Sequence, residues 1–269
     1  MDKQKTTAIL GPENSFHHIA ASSYFGNALQ PVFKHSFEEI FNSVSSGESD
    51  NAIIAVKNTY AGFVGDNLIC IAKNGLYILD EVKLQIRFFL AVNHLVEPME
   101  IHEIISHPIA IKQCAEFLKK FPNTTLTEVS STAEAANLVA NDARKNIAVL
   151  AGEQVIEQTK LIILEEATLE QKDNITRFVV VSKTFQTTQK TSHIIISVEG
   201  DSTIIFTSIG NTSLEIREHL EIPNSDESYF EFICINSNVA DLYIASIKKH
   251  YPEIRVLGYY AECEKIVNT

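Results

Sequence analysis

The stretch DNITRFVVVSK, residues 173–183, decides how the rest of the chain is read. Asp173-Asn174 favours a turn, and Phe178-Val179-Val180-Val181 is the apolar, β-branched run of a buried strand. Thr176 and Arg177 stand side by side at its mouth. Solvation of a strand end is one reading of them. The other is an anion site, because a planar guanidinium can make two parallel hydrogen bonds to a carboxylate. Adjacent side chains of an extended strand point to opposite faces, so without a bend only one of Thr176 and Arg177 faces a common ligand.

Upstream, strands and helices alternate. TTAIL (6–10) is a strand that runs into GPENSFHHIAASSYFG, where Gly-Pro turns the chain and Ser15 caps a helix from His17 to Phe25. FEEIFNSVSS (37–46) has helical spacing, and NAIIAV (51–56) is a buried strand followed by the polar loop KNTYAGFVGDN. QIRFFLAVN (85–93) reads as a strand, Ile104-Ile105 end another, and Ser106-His107-Pro108 lead to a helix from Ala110 to Lys120, closed by Pro122. In TLTEVSSTAEAANLVAND, Ser131-Thr132 with Glu134 cap a helix that ends near Asn141. NIAVLA (146–151), the helix-like GEQVIEQT and LIILEEA complete the series. The alternation predicts an α/β region with mostly parallel sheets through residue 183, with ligands at the loops beyond the carboxyl ends of its strands.

FQTTQKTS (185–192) reads as a linker. Beyond it, strands at 193–198, 229–235 and 254–260 and a helix at 241–251 predict a small α+β regulatory or dimerisation module. The chain of 269 residues is long enough for two domains of roughly 100–200 residues each.

Composition narrows the function. With 45% hydrophobic and 21% charged residues the chain has a globular profile. No run approaches the ~18 apolar residues of a membrane span, and MDKQKTTAIL is too short an apolar start for a signal peptide, so a cytoplasmic protein without membrane contact is expected. A formal charge of -12, with no Lys/Arg cluster larger than a pair, argues against nucleic acid. Cys70, Cys114, Cys234 and Cys263 form no CxxC and suggest neither zinc nor disulfides. An anionic ligand must therefore be held by a few local donors.

Four polar loops share one architectural position: Gly11–Phe16, Lys57–Gly62, Ser106–Pro108 and Ser130–Thr132. Each offers hydroxyls, amides or backbone N–H groups near a helix start, where anions bind readily. Each residue also has a plain structural reading, Ser131-Thr132 as a cap and His107 as a loop residue before proline. His17-His18 beside Ser15 lack the GxSxG elbow of a hydrolase, and GPENSF is neither a P-loop nor GxGxxG. Spacing alone names no reaction.

Taken in order, the loops resemble the motifs of the prephenate dehydratase family, whose members convert prephenate to phenylpyruvate in phenylalanine synthesis. Leu10–Phe16 is similar to LGPxG(T/S)F, Ala55–Gly62 to the PIENSxxG region, and Ser106-His107-Pro108 with Gln113-Cys114 to SHPxALxQC. Ser131–Ala136 matches STAEAA, and Asn174–Phe178 matches NxTRF. The resemblance covers residues 6 to 183. It implies a two-lobed, periplasmic-binding-protein type II-like catalytic domain over 1–184, with lobe 1 at about 1–80 and 160–184 and lobe 2 at about 81–159. It places an ACT-like module at 190–269, able to bind an amino-acid effector and to pair into a homodimer or homotetramer.

The resemblance implies Thr176 as the catalytic residue, donating a hydrogen bond to the departing hydroxyl. Ser15, Phe16, Asn58, Thr59, His107, Gln113, Ser131, Thr132, Arg177 and Phe178 are the implied substrate-binding residues, with no metal and no cofactor. Asn14, Lys57, Thr59 and Ile109 stand where the family has Gly, Glu, Ser and Gln, and the module lacks the family's GAL and ESRP. Three readings stay open at this level: a prephenate dehydratase, a relative that decarboxylates prephenate without aromatising it, and a small-molecule binding or sensor protein.

Overall fold

The computed structural model describes residues 5–169, 173–186, 191–210, 212–263 and 265–269. Two sheets organise it. The larger has eleven strands and the smaller five. At the centre of the large sheet Ile175–Ser182 lies between Asn51–Asn58 and Tyr77–Gln85, antiparallel to both. Lys5–Leu10 then pairs in parallel with Asn51–Asn58 on one side and Leu29–Lys34 on the other.

The small sheet is ordered Ile162–Glu166, Phe89–Val92, Ile147–Ala151, Glu103–Ser106, Thr125–Glu128. Its last three strands run parallel, and the first two add antiparallel pairs. Both sheets are therefore mixed rather than mostly parallel. The cause is topological: the chain passes from one sheet to the other and returns, and the returning strand enters the large sheet against its neighbours.

The two crossings lie side by side, with Ile86 N donating to Asn174 O at 2.7 Å and Ala167 N to Phe88 O at 2.8 Å. QIRFFLAVN is accordingly two strands, broken at Ile86–Phe88 where the chain changes sheets. The expected helix from Ala110 to Lys120 is also two pieces, Pro108–Gln113 and Ala115–Leu118, with Cys114 off helical geometry at φ -101° and ψ 16°. The helix Thr132–Asn141 begins at its expected cap, Ser131, whose Oγ accepts the Glu134 N–H at 3.0 Å.

After the linker, of which 187–190 lie outside the described residues, the chain runs strand His193–Glu199, helix Thr203–Ile209, strands Glu215–Glu221 and Glu227–Ile233, helix Ser237–Ile247 and strand Arg255–Tyr260. The order strand-helix-strand-strand-helix-strand with a fully antiparallel four-strand pairing is ferredoxin-like. The helix at 203–209 and the charged edge strand at 215–221 had no signal in the sequence reading.

The module is continuous with the large sheet. Gly258 pairs with Ile78, so Arg255–Tyr260 joins Tyr77–Gln85. A Cβ on Gly258 would stand 2.2 Å from Ile78 O, which is why the seam carries glycine. The last strand, Ile266–Asn268, returns to the same partner strand.

Candidate active site

A cleft of about 840 Å³ opens between the two sheets. Its floor comes from the large sheet and its opposite wall from helix starts of the small one. Ser15, Phe16, Asn58, His107, Gln113, Ser131, Thr132, Thr176 and Phe178 all line it. The structure does not bring Thr59 and Arg177 to it.

At the floor, Thr176 sits opposite Asn58, and the next pair is Arg177 with Lys57. A bulge follows, so that Phe178 pairs with Ala55 and Val56 is the extra residue. The bulge sorts the faces: Thr176, Phe178, Asn58 and Ala55 line the cleft, while Arg177, Lys57 and Val56 line the joint with the C-terminal module.

Asn58 is buried and organises the floor. Its Nδ2 donates to Asn174 Oδ1 and to Thr176 Oγ1, both at 2.9 Å, and its Oδ1 accepts from the N–H groups of Tyr60 and Ala61 at 2.9 Å. Gln113 reaches in from the other lobe. Its Nε2 stands 3.3 Å from both Asn58 Oδ1 and Asn174 Oδ1, and its Oε1 accepts from Asn174 Nδ2 at 3.0 Å. The amide of Gln113 is thereby engaged in joining the lobes. Asn174, read from sequence as a turn former, is 2% exposed and belongs to this network. Its signal was the two-residue spacing from Thr176, which puts both on one strand face.

Because Thr176 Oγ1 accepts from Asn58, its own O–H is directed elsewhere. Ser15 differs. Its Oγ donates to Leu10 O at 2.9 Å and accepts the His18 N–H at 3.3 Å, so its hydroxyl builds the turn at the helix start. The turn uses Gly11 at φ 83° and Asn14 at φ 60°; asparagine tolerates this left-handed region better than other side-chain-bearing residues. Ser131 Oγ accepts a capping N–H and keeps its proton to donate. His107 Nδ1 accepts the Ile109 N–H at 3.2 Å, which puts the ring proton on Nε2, and burial lowers its pKa below the ordinary histidine value.

Among the described residues the cleft wall holds no Lys or Arg. Positive potential comes instead from the starts of two ten-residue helices, Phe16–Phe25 and Thr132–Asn141, whose caps line the cleft. His17, set aside in the sequence for want of a hydrolase elbow, is a further wall residue. Its Nε2 accepts the Ala55 N–H at 3.4 Å, its ring meets Phe178 edge-on at 5.0 Å, and burial holds its pKa down at about 4. It is a neutral imidazole on the Phe178–Ala55 pair, two residues along the strand from Thr176.

Thr59 turns away to bind the other crossing strand, donating to Asp173 O and accepting the Ile175 N–H at 3.0 Å. Arg177 is the larger correction. It is 9% exposed and lies against the module, with Nη2 2.7 Å from Glu231 Oε2 and 3.1 Å from Tyr260 OH, and Nε 3.2 Å from Glu81 Oε2. Strand alternation is the reason: Thr176 occupies the cleft face. Lys57 points the same way as Arg177 and pairs with Glu218.

Residues 7–186 match the family model for prephenate dehydratase. The chain belongs to the prephenate dehydratase family. It is 31% identical over 179 residues to the bifunctional chorismate mutase/prephenate dehydratase of Escherichia coli K12, an alignment covering 65% of this chain and 46% of that protein. The homologue of Buchnera aphidicola from Schizaphis graminum gives the same identity and coverage. The chain thus spans about half the length of the curated relatives it matches.

Among solved structures, the prephenate dehydratase of Arthrobacter aurescens in complex with L-Phe superposes with a TM-score of 0.86 at 24% identity, over 98% of this chain and 92% of that one. GqqA, described as a novel type of quorum quenching acylase, superposes at 0.81 with 17% identity, over 97% and 99%. These likenesses show the fold, and the fold alone does not choose the reaction.

Proposed function

We propose that this member of the prephenate dehydratase family binds prephenate in the cleft and releases phenylpyruvate, carbon dioxide and water. The observation that carries the reading is the Asn58–Thr176 hydrogen bond, which leaves the Thr176 hydroxyl proton free to be donated to a bound substrate. Prephenate dianion plus one proton gives phenylpyruvate monoanion, carbon dioxide and water, so atoms and charge balance. The C–C bond to the ring carboxylate breaks, its electron pair enters the ring, and the C4–O bond leaves with its own pair.

Aromatisation supplies the driving force, so the protein orients the substrate and stabilises charge on the departing oxygen. A threonine hydroxyl is too weak an acid to surrender its proton outright. Thr176 therefore acts as a hydrogen-bond donor to that oxygen. Ser131, Thr132 and His107 Nε2–H, with the helix start at Phe16, hold the two carboxylates without a cationic side chain. Phe16 and Phe178 pack against the ring.

The C-terminal module is read as an ACT-like regulatory unit, which its ferredoxin-like strand order supports. Its strand Glu215–Glu221 ends the large sheet, and that open edge is where a second copy would pair. The Arthrobacter protein carries L-Phe; here the amino-acid effector stays part of the proposal.

Incubating the purified full chain with prephenate and following products tests the function. Phenylpyruvate with carbon dioxide is expected. A decarboxylated product that is not aromatic would assign a different reaction on the same fold, and unconsumed prephenate would make the chain a binding protein.

A further inference from the structure

Behind the floor of the cleft, the two residues adjacent to Asn58 and Thr176 are both cations, and both are held by carboxylates of the C-terminal module. Lys57 pairs with Glu218 and Arg177 with Glu231 at 2.7 Å. Arg217, also from the module, closes a ring: its Nη1 lies 2.8 Å from Glu231 Oε1 and 3.3 Å from Glu81 Oε2, and Glu81 in turn faces Arg177. Two guanidinium groups and two carboxylates alternate, so the cluster is neutral as a whole. Tyr260 OH donates to Glu231, and the Cys263 N–H donates to Glu81 Oε1 at 3.0 Å. Every carboxylate oxygen in the ring has a partner.

The joint is closely packed, with only about 10 Å³ of free space among Val56, Phe63, Leu68, Tyr229 and the charged pairs. Glu81 and Glu231 are 2% and 4% exposed. Charges this buried tolerate little displacement, because moving one strands its partner in a low-dielectric interior. The backbone that carries them is the backbone that carries the cleft residues: Lys57 and Arg177 form the pair next to Asn58 and Thr176, immediately before the bulge.

We propose that the module is a working part of the active site: Glu218 and Glu231, through Lys57 and Arg177, set the position of the Asn58–Thr176 pair and thereby the turnover rate. Lys57 and Arg177 are positioning residues that do not touch substrate. A shift of the module relative to the large sheet acts on the reacting hydroxyl through these two ion pairs. The inference rests on the functional reading given above for Thr176.

A charge swap on the less buried pair tests it. Lys57→Glu and Glu218→Lys each place like charges together, and the double variant restores an opposite pair with its direction reversed. Each single variant is expected to lower kcat by about fivefold or more, as small misplacements of a reacting group do, with KM for prephenate within about twofold of wild type. The double variant is expected to recover kcat to within about twofold, a reciprocal rescue that independent sites do not show.

Glu231→Gln gives a second test, with thermal unfolding recorded beside kinetics to confirm that the variant is folded. Its kcat should fall with KM unchanged. Folded single variants with wild-type kcat, or a folded double variant that fails to recover, overturn the inference while leaving the function intact. A wild-type chain that makes no phenylpyruvate overturns the functional reading, and this inference with it.

Discussion

Asn58 Nδ2 lies 2.9 Å from Thr176 Oγ1, and this contact fixes the direction of the only hydroxyl proton among the described residues of the cleft floor. Asn58→Asp replaces that donor with an acceptor, which would draw the Thr176 O–H away from the substrate. The fold should survive, since Oδ1 still accepts from Tyr60 and Ala61. Turnover is expected to fall by about 10²-fold, the usual scale for a lost transition-state donor. Steady-state kinetics on prephenate checks this, and a kcat within about threefold of wild type would remove the orienting role.

Arg177 is a structural cation. Arg177→Ala leaves Arg217 as the one guanidinium shared by the buried Glu81 and Glu231, and a broken buried pair costs about 3–5 kcal/mol. Burial alone opposes the charge on Glu231, but Arg177 and Arg217 outweigh it and hold its pKa below the ordinary carboxylate value. Urea unfolding should show the loss, and Arg177→Lys should recover little, because an ammonium cannot span both carboxylates as the fork does.

How much of this was legible in the chain depends on where charge sits. The strands Asn51–Asn58 and Ile175–Ser182 announce themselves by apolar runs, and the ordered loops marked most of the cleft-lining residues. Tyr77–Gln85 did not read as a strand, because Asp80, Glu81 and Lys83 interrupt its pattern; two of these face the charged cluster at the joint. Glu215–Glu221 hid for the same reason. Local sequence cannot show that a charge is buried when its partner lies 136 residues away, as Arg217 does from Glu81. Asn174 was passed over because a turn former explains it locally, and His17 was set aside because a helix-start histidine without a GxSxG elbow points to no hydrolase.

Titration of His17 gives a pH signature. Its pKa is about 4 in the folded chain and 6.5 as the unperturbed value, so between these the unfolded chain binds a proton that the folded chain refuses. Stability should therefore decline as pH falls from about 6.5 towards 4, and His17→Gln should flatten that part of the profile. Urea midpoints measured across this range check it. Equal slopes in the two proteins would mean that His17 is not held neutral.

Gly258 is the narrowest point of the seam. A Cβ there would meet Ile78 O at 2.2 Å and Ile78 Cβ at 2.9 Å, so Gly258→Ala must push the module off the large sheet. Calorimetry is expected to show a lower, broadened or split transition. An unchanged single transition would mean that the seam yields without cost.

In the proposed reaction Thr176, and not Arg177, meets the substrate. Thr176→Val keeps the shape of the side chain and removes its hydroxyl, so kcat/KM for phenylpyruvate formation by this variant is the most direct test. A fall of at least about 10²-fold is expected in a protein that unfolds like wild type. A value within about threefold of wild type would contradict it.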